Sequence, residues 1–145
     1  MALGDVVVFN EAKAKMIAGD WATTDHFSLA IVTNTTVPTA ATATPTLADF
    51  TQVGTAGSYT AGGTDLGALS ALVTQAGGTM TFDSAVNPTW AANASNSTNA
   101  YYAVIYNSTD VANDALAFVD VGGPVNMATT ALTVTWNASG IFTVA

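Results

Sequence analysis

Apolar and polar positions follow two different periods along this chain. Near the N-terminus Phe9, Ala12, Met16 and Ile17 recur at helical spacing. They predict one short amphipathic helix over Asn10–Ala18, with Asn10 as its N-cap and Gly19 as its stop. Glu11 sits where the helix dipole favours an anion, and Glu11 and Lys15 have the spacing of an i,i+4 pair. Beyond Gly19 the period shortens to two. Phe27, Leu29 and Ile31 alternate with His26, Ser28 and Ala30, a strand with one apolar face. Tyr101–Tyr106 is apolar on both faces, as a central strand would be. Leu116–Val121 is the next strand, ended by Gly122–Gly123–Pro124. Ala131–Trp136 places Leu132, Val134 and Trp136 on one face, and after a turn at Asn137–Gly140, Ile141–Val144 completes a C-terminal hairpin.

The middle of the chain is patterned less strongly. Leu47–Val53 and Ser58–Thr60 read as short strands, and Leu66–Val73 fits helix or strand. Gly77–Gly78 punctuates, Thr79–Asp83 alternates Met80 and Phe82 with threonine, and Asn87–Pro88 marks a turn before Thr89–Ala91. Ala92–Asn99 and Asn107–Asp114 read as loop and turn. Asn34–Thr46, crowded with Thr and Ala and holding Pro38 and Pro45, reads as a long surface loop or extended arm. The expected architecture is an all-β fold, a jelly-roll-like β-sandwich of about eight strands with one short N-terminal helix, in a single domain over 1–145.

Composition narrows the function classes. The 145 residues include ten acidic side chains, two lysines (Lys13 and Lys15), one histidine and no cysteine, for a net charge of -8. That balance cannot build the basic footprint of a nucleic-acid binder. Zinc fingers, iron–sulfur centres, thiol enzymes and disulfide scaffolds need cysteine. With 50% hydrophobic and 8% charged residues the chain has the apolar content to fold. Met1–Phe9 lacks basic residues and carries Asp5, so it does not read as a signal peptide. No apolar run reaches the roughly 20 residues of a membrane span, so no membrane partner is expected.

Candidate chemistry is thin. His26 beside Asp25, with Ser28 on the same predicted face, is the one place for a Ser/His/Asp set, and a surface strand residue is the simpler reading. Asp110 and Asp114 flank a loop that lacks the spacing and terminal glutamate of a calcium site. The Gly62–Gly63, Gly77–Gly78 and Gly122–Gly123 pairs have no Walker lysine and read as turns. Tyr59 and Trp90, near predicted loops, are the candidate sugar-stacking aromatics. The triplets at Asn34, Asn96 and Asn107 match the glycosylation pattern, as chance allows in a chain rich in Asn, Ser and Thr. No catalytic residue, metal site or cofactor is assigned.

The order of segments carries more. Phe9-Asn10-Glu11-Ala12-Lys13 leads to Gly19-Asp20-Trp21, then to Asp25-His26-Phe27-Ser28-Leu29-Ala30-Ile31-Val32-Thr33 and to Ser58-Tyr59-Thr60-Ala61-Gly62-Gly63. Ala100-Tyr101-Tyr102-Ala103-Val104-Ile105-Tyr106 and Leu116-Ala117-Phe118-Val119-Asp120 follow, and Leu132 to Phe142 closes the series. It resembles the jelly-roll cement, or decoration, proteins of tailed bacteriophages. That resemblance implies a non-enzymatic protein made in the host bacterial cytoplasm and located on the capsid surface of the virion. Its implied partners are the major capsid protein and itself, as a dimer or trimer. The expected contacts are Val6, Val8 and Phe9 in an edge-like N-terminal segment, Asn34, Val37, Pro38 and Pro45 in the arm, and Tyr59 and Trp90 near loops. A phage tail or fibre component with a host-binding role and a carbohydrate-binding or hydrolytic β-sandwich are the alternatives.

Overall fold

The computed structural model describes residues 4–144. It is an all-β sandwich with one N-terminal helix of more than a single turn, the class expected, built from ten strands rather than eight. The strands are β1 (Val6–Val8), β2 (His26–Val32), β3 (Thr64–Ala68), β4 (Val73–Ala76), β5 (Thr79–Phe82), β6 (Thr89–Trp90), β7 (Ala100–Asn107), β8 (Ala115–Val125), β9 (Leu132–Thr133) and β10 (Phe142–Val144). Helix α1 spans Asn10–Ala18, and a one-turn helix α2 spans Leu69–Leu72. Three antiparallel sheets result, in the orders β1-β8-β7-β2-β3, β10-β5-β4 and β6-β9.

Three long strands form the centre. Residues Ala103–Asn107 of β7, Phe27–Val32 of β2 and Ala115–Val119 of β8 are buried without alternation, so both faces of the five-stranded sheet are covered. This corrects the one-faced reading of β2, in which Ser28 and Ala30 were polar-side positions. Phe27 of β2 meets Phe82 of β5 edge-on at 5.8 Å, and Phe82 stacks on Phe142 of β10 at 5.0 Å, so aromatics join the two larger sheets. On the N-terminal side Phe9 lies between Phe50 and Phe118. The β4–β5 hairpin turns on Gly77 and Gly78, both at positive φ, the two-residue turn that matches strand twist. Gly63 is needed for a different reason: a Cβ there would lie 1.8 Å from the Leu29 carbonyl oxygen.

Several local expectations are corrected. Phe9 rather than Asn10 is the N-cap, extended and without a side-chain cap bond, while Gly19 ends the helix as expected. Ile17 is 89% exposed, because α1 buries only the Phe9–Ala12 side fully. Glu11 and Lys15 do not pair with each other. The Thr44 N–H donates to Glu11 Oε2 at 2.6 Å, and Lys15 Nζ donates to Asp114. Leu47–Asp49 is a 3-10 turn held by a Thr46–Asp49 capping box, and Ser58–Thr60 is not a strand. β8 runs through Gly122–Gly123–Pro124 to Val125, carried past them by a register shift against β7. The C-terminal hairpin does not form: β10 pairs with β5, and β9 with β6, because Phe142 gains its stacking partner there.

The Asn34–Thr46 segment is not a free arm. The Asn10 N–H donates to Ala40 O at 2.9 Å, the Ala115 N–H to Pro45 O at 2.8 Å and the Leu47 N–H to Asn113 O at 3.0 Å. Pro38 and Pro45 are buried. Asn34–Val37 is its longest exposed run, on a base strapped to α1 and β8.

The Lys15–Asp114 pair ties α1 to the turn before β8. Burial works against the Lys15 charge, but the hydrogen bond and charge of Asp114, with Glu11 and Asp110, more than offset it and hold its pKa above the usual lysine value. A cation with a raised folded pKa stabilises fully below its unfolded value, about 10.4, and loses that contribution as pH rises through the folded value. Lys15→Met is expected to cost about 1–3 kcal/mol at neutral pH, between an exposed and a buried pair. The gap from wild type in urea denaturation is expected to narrow above about pH 10.4; a constant gap would contradict the pairing.

Candidate functional site

The residues named as candidate chemistry do not converge. His26 is half exposed, and its Nδ1 lies 3.0 Å from the Asp65 carboxylate rather than near a serine. Ser28 is buried, and its hydroxyl donates to Ser108 Oγ at 3.1 Å. Asp25 accepts from Asn107 Nδ2 at 2.8 Å and from the Ala22 N–H at 3.1 Å. These are bonds that close the start of β2 onto the β7–β8 turn. Asp20, Asp25, Asp110 and Asp114 border a shallow hollow of about 330 Å³, where Lys15 already holds Asp114. Among the described residues no group of three or more His, Asp or Glu is arranged to hold a metal ion. None of the described helices is long and apolar enough to cross a membrane.

Five of the expected contact residues lie inside. Phe9 is fully buried, and Pro38 and Pro45 are buried. Tyr59 is 2% exposed and Trp90 4%, with rings 5.8 Å apart, so neither face is open to a sugar or a protein surface. Their burial follows from a backbone need. β3 ends level with Leu29, so Ile31 of β2 and Thr33 just beyond it lack a strand on that side. The Ile31 N–H donates to the Tyr59 hydroxyl at 3.2 Å, the Val53 N–H to Ile31 O at 3.0 Å and the Thr33 N–H to Thr51 O at 2.8 Å. The Tyr59 hydroxyl donates onward to Gln52 Oε1 at 2.8 Å, and burial pushes its pKa far up.

Two glycosylation-like asparagines are also internal. Asn96 takes the Ser58 N–H at 2.6 Å and donates to Met127 O at 3.0 Å, pinning three loops together. Asn107 is fully buried. Asn34 alone of the three is exposed.

The surface features that remain are apolar. Val37 is 54% exposed beside Asn34. Val6 and Val8 are half-buried along β1, the outer edge of the large sheet. They line a groove of about 750 Å³ whose other walls are Lys13, Met16 and Ile17 of α1, and Phe142–Val144 of β10. Met16 and Met80 continue it into a second, mostly apolar hollow of about 300 Å³ with Trp21, Leu69, Val73 and Phe82. The groove was not legible as such in sequence. Its signal is the run Val6-Val7-Val8, but its far wall depends on β10 pairing with β5.

Comparison with known proteins gives no relative: no protein-family model, curated protein or solved structure matches the chain.

Two substitutions separate an internal from a surface role. Tyr59→Phe leaves the buried Ile31 N–H without its partner and is expected to cost about 1–3 kcal/mol in chemical denaturation. Trp90→Ala is expected to cost about 3–5 kcal/mol. Unchanged stability of both, with loss of glycan binding, would restore the surface reading.

Proposed function

We propose that this protein is a bacteriophage capsid cement protein that stabilises the shell by bridging major capsid subunits. The order of segments set out above supports this, and the observation that carries it is the placement of apolar side chains at the surface, Val37 exposed and Val6 and Val8 half-buried. Val37 sits on a loop whose base is strapped down, and Val6 and Val8 lie along an open sheet edge. Such positions adhere by shape and backbone contact. A protein that binds only the assembled shell stabilises it by mass action. Sparse surface charge suits that work, since interface cores are depleted in charge. Bridging is stronger from a small symmetric oligomer, in which several weak contacts act at once. On this reading the working location is the capsid surface.

The loop tip gives the direct test. Val37→Asp is a surface substitution, so the isolated protein is expected to hold its stability within about 0.5 kcal/mol. Its affinity for purified capsids is expected to fall roughly fivefold or more, as for a contact worth over 1 kcal/mol. Unchanged occupancy, or cryo-EM density for the wild type confined to the tail, would contradict capsid bridging through this loop; density on the tail would favour the tail or fibre reading.

A further inference from the structure

We propose that the hollow between α1 and α2 is a binding site for a compact, uncharged aromatic molecule that carries one hydrogen-bond acceptor, of the size of a two-ring ketone. Its main walls are Met16 of α1, Trp21, Leu69 of α2, Val73 of β4, and Met80 and Phe82 of β5. This depends on neither the capsid reading nor the β1 edge, since no β1 residue lines the hollow.

Three observations carry it. The first is the build of the walls. The hollow measures about 300 Å³, at the lower end of the range for ligand sites and roughly twice a cavity that takes up benzene. That is room for two fused rings. Trp21 and Phe82 each stand edge-on to the buried Phe27 ring, at 5.3 and 5.8 Å, so one core side chain braces two aromatic walls. Met16 and Met80 are the adaptable walls, able to follow the outline of a guest. The rim is fixed. The Leu69 N–H donates to Asp25 O at 2.8 Å and the Ser70 N–H to Thr23 O at 2.9 Å, tying the start of α2 to the turn that follows Trp21.

The second is a donor without an acceptor. Among the described residues, the Trp21 indole Nε1 is the one buried side-chain nitrogen or oxygen that has no hydrogen-bond partner. A buried indole N–H ordinarily finds an acceptor, because leaving it without one forfeits its hydration. Trp21 also borders the acidic hollow of Asp20, Asp25, Asp110 and Asp114, yet its Nε1 bonds to none of those carboxylates. That places the missing acceptor on the apolar side, where a carbonyl oxygen of a bound molecule supplies it.

The third is charge. Lys15 is the one charged residue on the walls, and its ammonium is held by Asp114. The hollow therefore presents no uncompensated cation to an anionic guest, and the net charge of -8 repels one. No carboxylate lines the walls to receive a cationic guest. An uncharged molecule is the occupant these walls accept, with its rings against Trp21 and Phe82 and its oxygen toward Trp21 Nε1.

Two probes of matched size test the site: 2-acetylnaphthalene, which has a carbonyl acceptor, and 2-isopropylnaphthalene, which has none. In titration calorimetry of the full chain, 2-acetylnaphthalene is expected to bind once per chain with a Kd on the order of 10 μM. Trp21→Phe keeps a ring and removes the donor. It is expected to lower the preference for the ketone over the hydrocarbon about tenfold, as for the loss of one hydrogen bond. Ser70→Trp adds bulk at an exposed position on the rim. It is expected to weaken both probes about tenfold or more, with the fold confirmed by circular dichroism. No saturable binding of either probe would make the hollow a packing void only. That result, an unchanged preference in Trp21→Phe, or undiminished binding in Ser70→Trp would overturn the proposal.

Discussion

Burial of both faces of the central strands is the constraint from which the rest of the fold follows. In β2, β7 and β8 runs of residues are buried without alternation, so every backbone donor and acceptor in them needs a partner inside the protein. Where a neighbouring strand runs out, something else takes its place. Thr51, Val53 and the Tyr59 hydroxyl complete β2 beyond the end of β3, and Gly63 can press against Leu29 because it has no Cβ. On the other side Ala40, Pro45 and Asn113 bind the threonine-rich loop to α1, β8 and the start of the 3-10 turn. The polar loops thus act as the sheet's missing edges.

Long segments with strong local patterns were legible in the sequence. α1 has the bounds its period implies, and β7 was recognisable from apolar residues on both faces. What could not be read were choices made between distant segments. Val134, Phe142 and Val144 look like hairpin partners locally, yet Phe142 is held by Phe82. Gly122–Gly123–Pro124 looks like a strand end, yet pairing of Ala100 with Val125 extends β8 beyond it. Glu11 and Lys15 satisfy the helical pair rule, but Thr44 and Asp114 offer each a better-placed partner.

The same competition explains the candidate contacts. Tyr59 and Trp90 lie next to turns, where aromatics are often exposed, but here the turns fold over a sheet that needs the Tyr59 hydroxyl and the area of both rings. Pro38 and Pro45 sit in a loop that composition marks as mobile and that hydrogen bonds to α1 and β8 hold in place. Val37, Val6 and Val8 were among the expected contacts, and Val37 is exposed while the valines of β1 are half-buried; Ile17, read as part of the buried helix face, is exposed instead.

The proposed role needs many copies on each shell. That makes abundance the most direct measure of the proposed role. Quantitative mass spectrometry of purified virions is expected to find hundreds of copies per particle, in fixed ratio to the major capsid protein. A handful of copies per particle, or none, would contradict it.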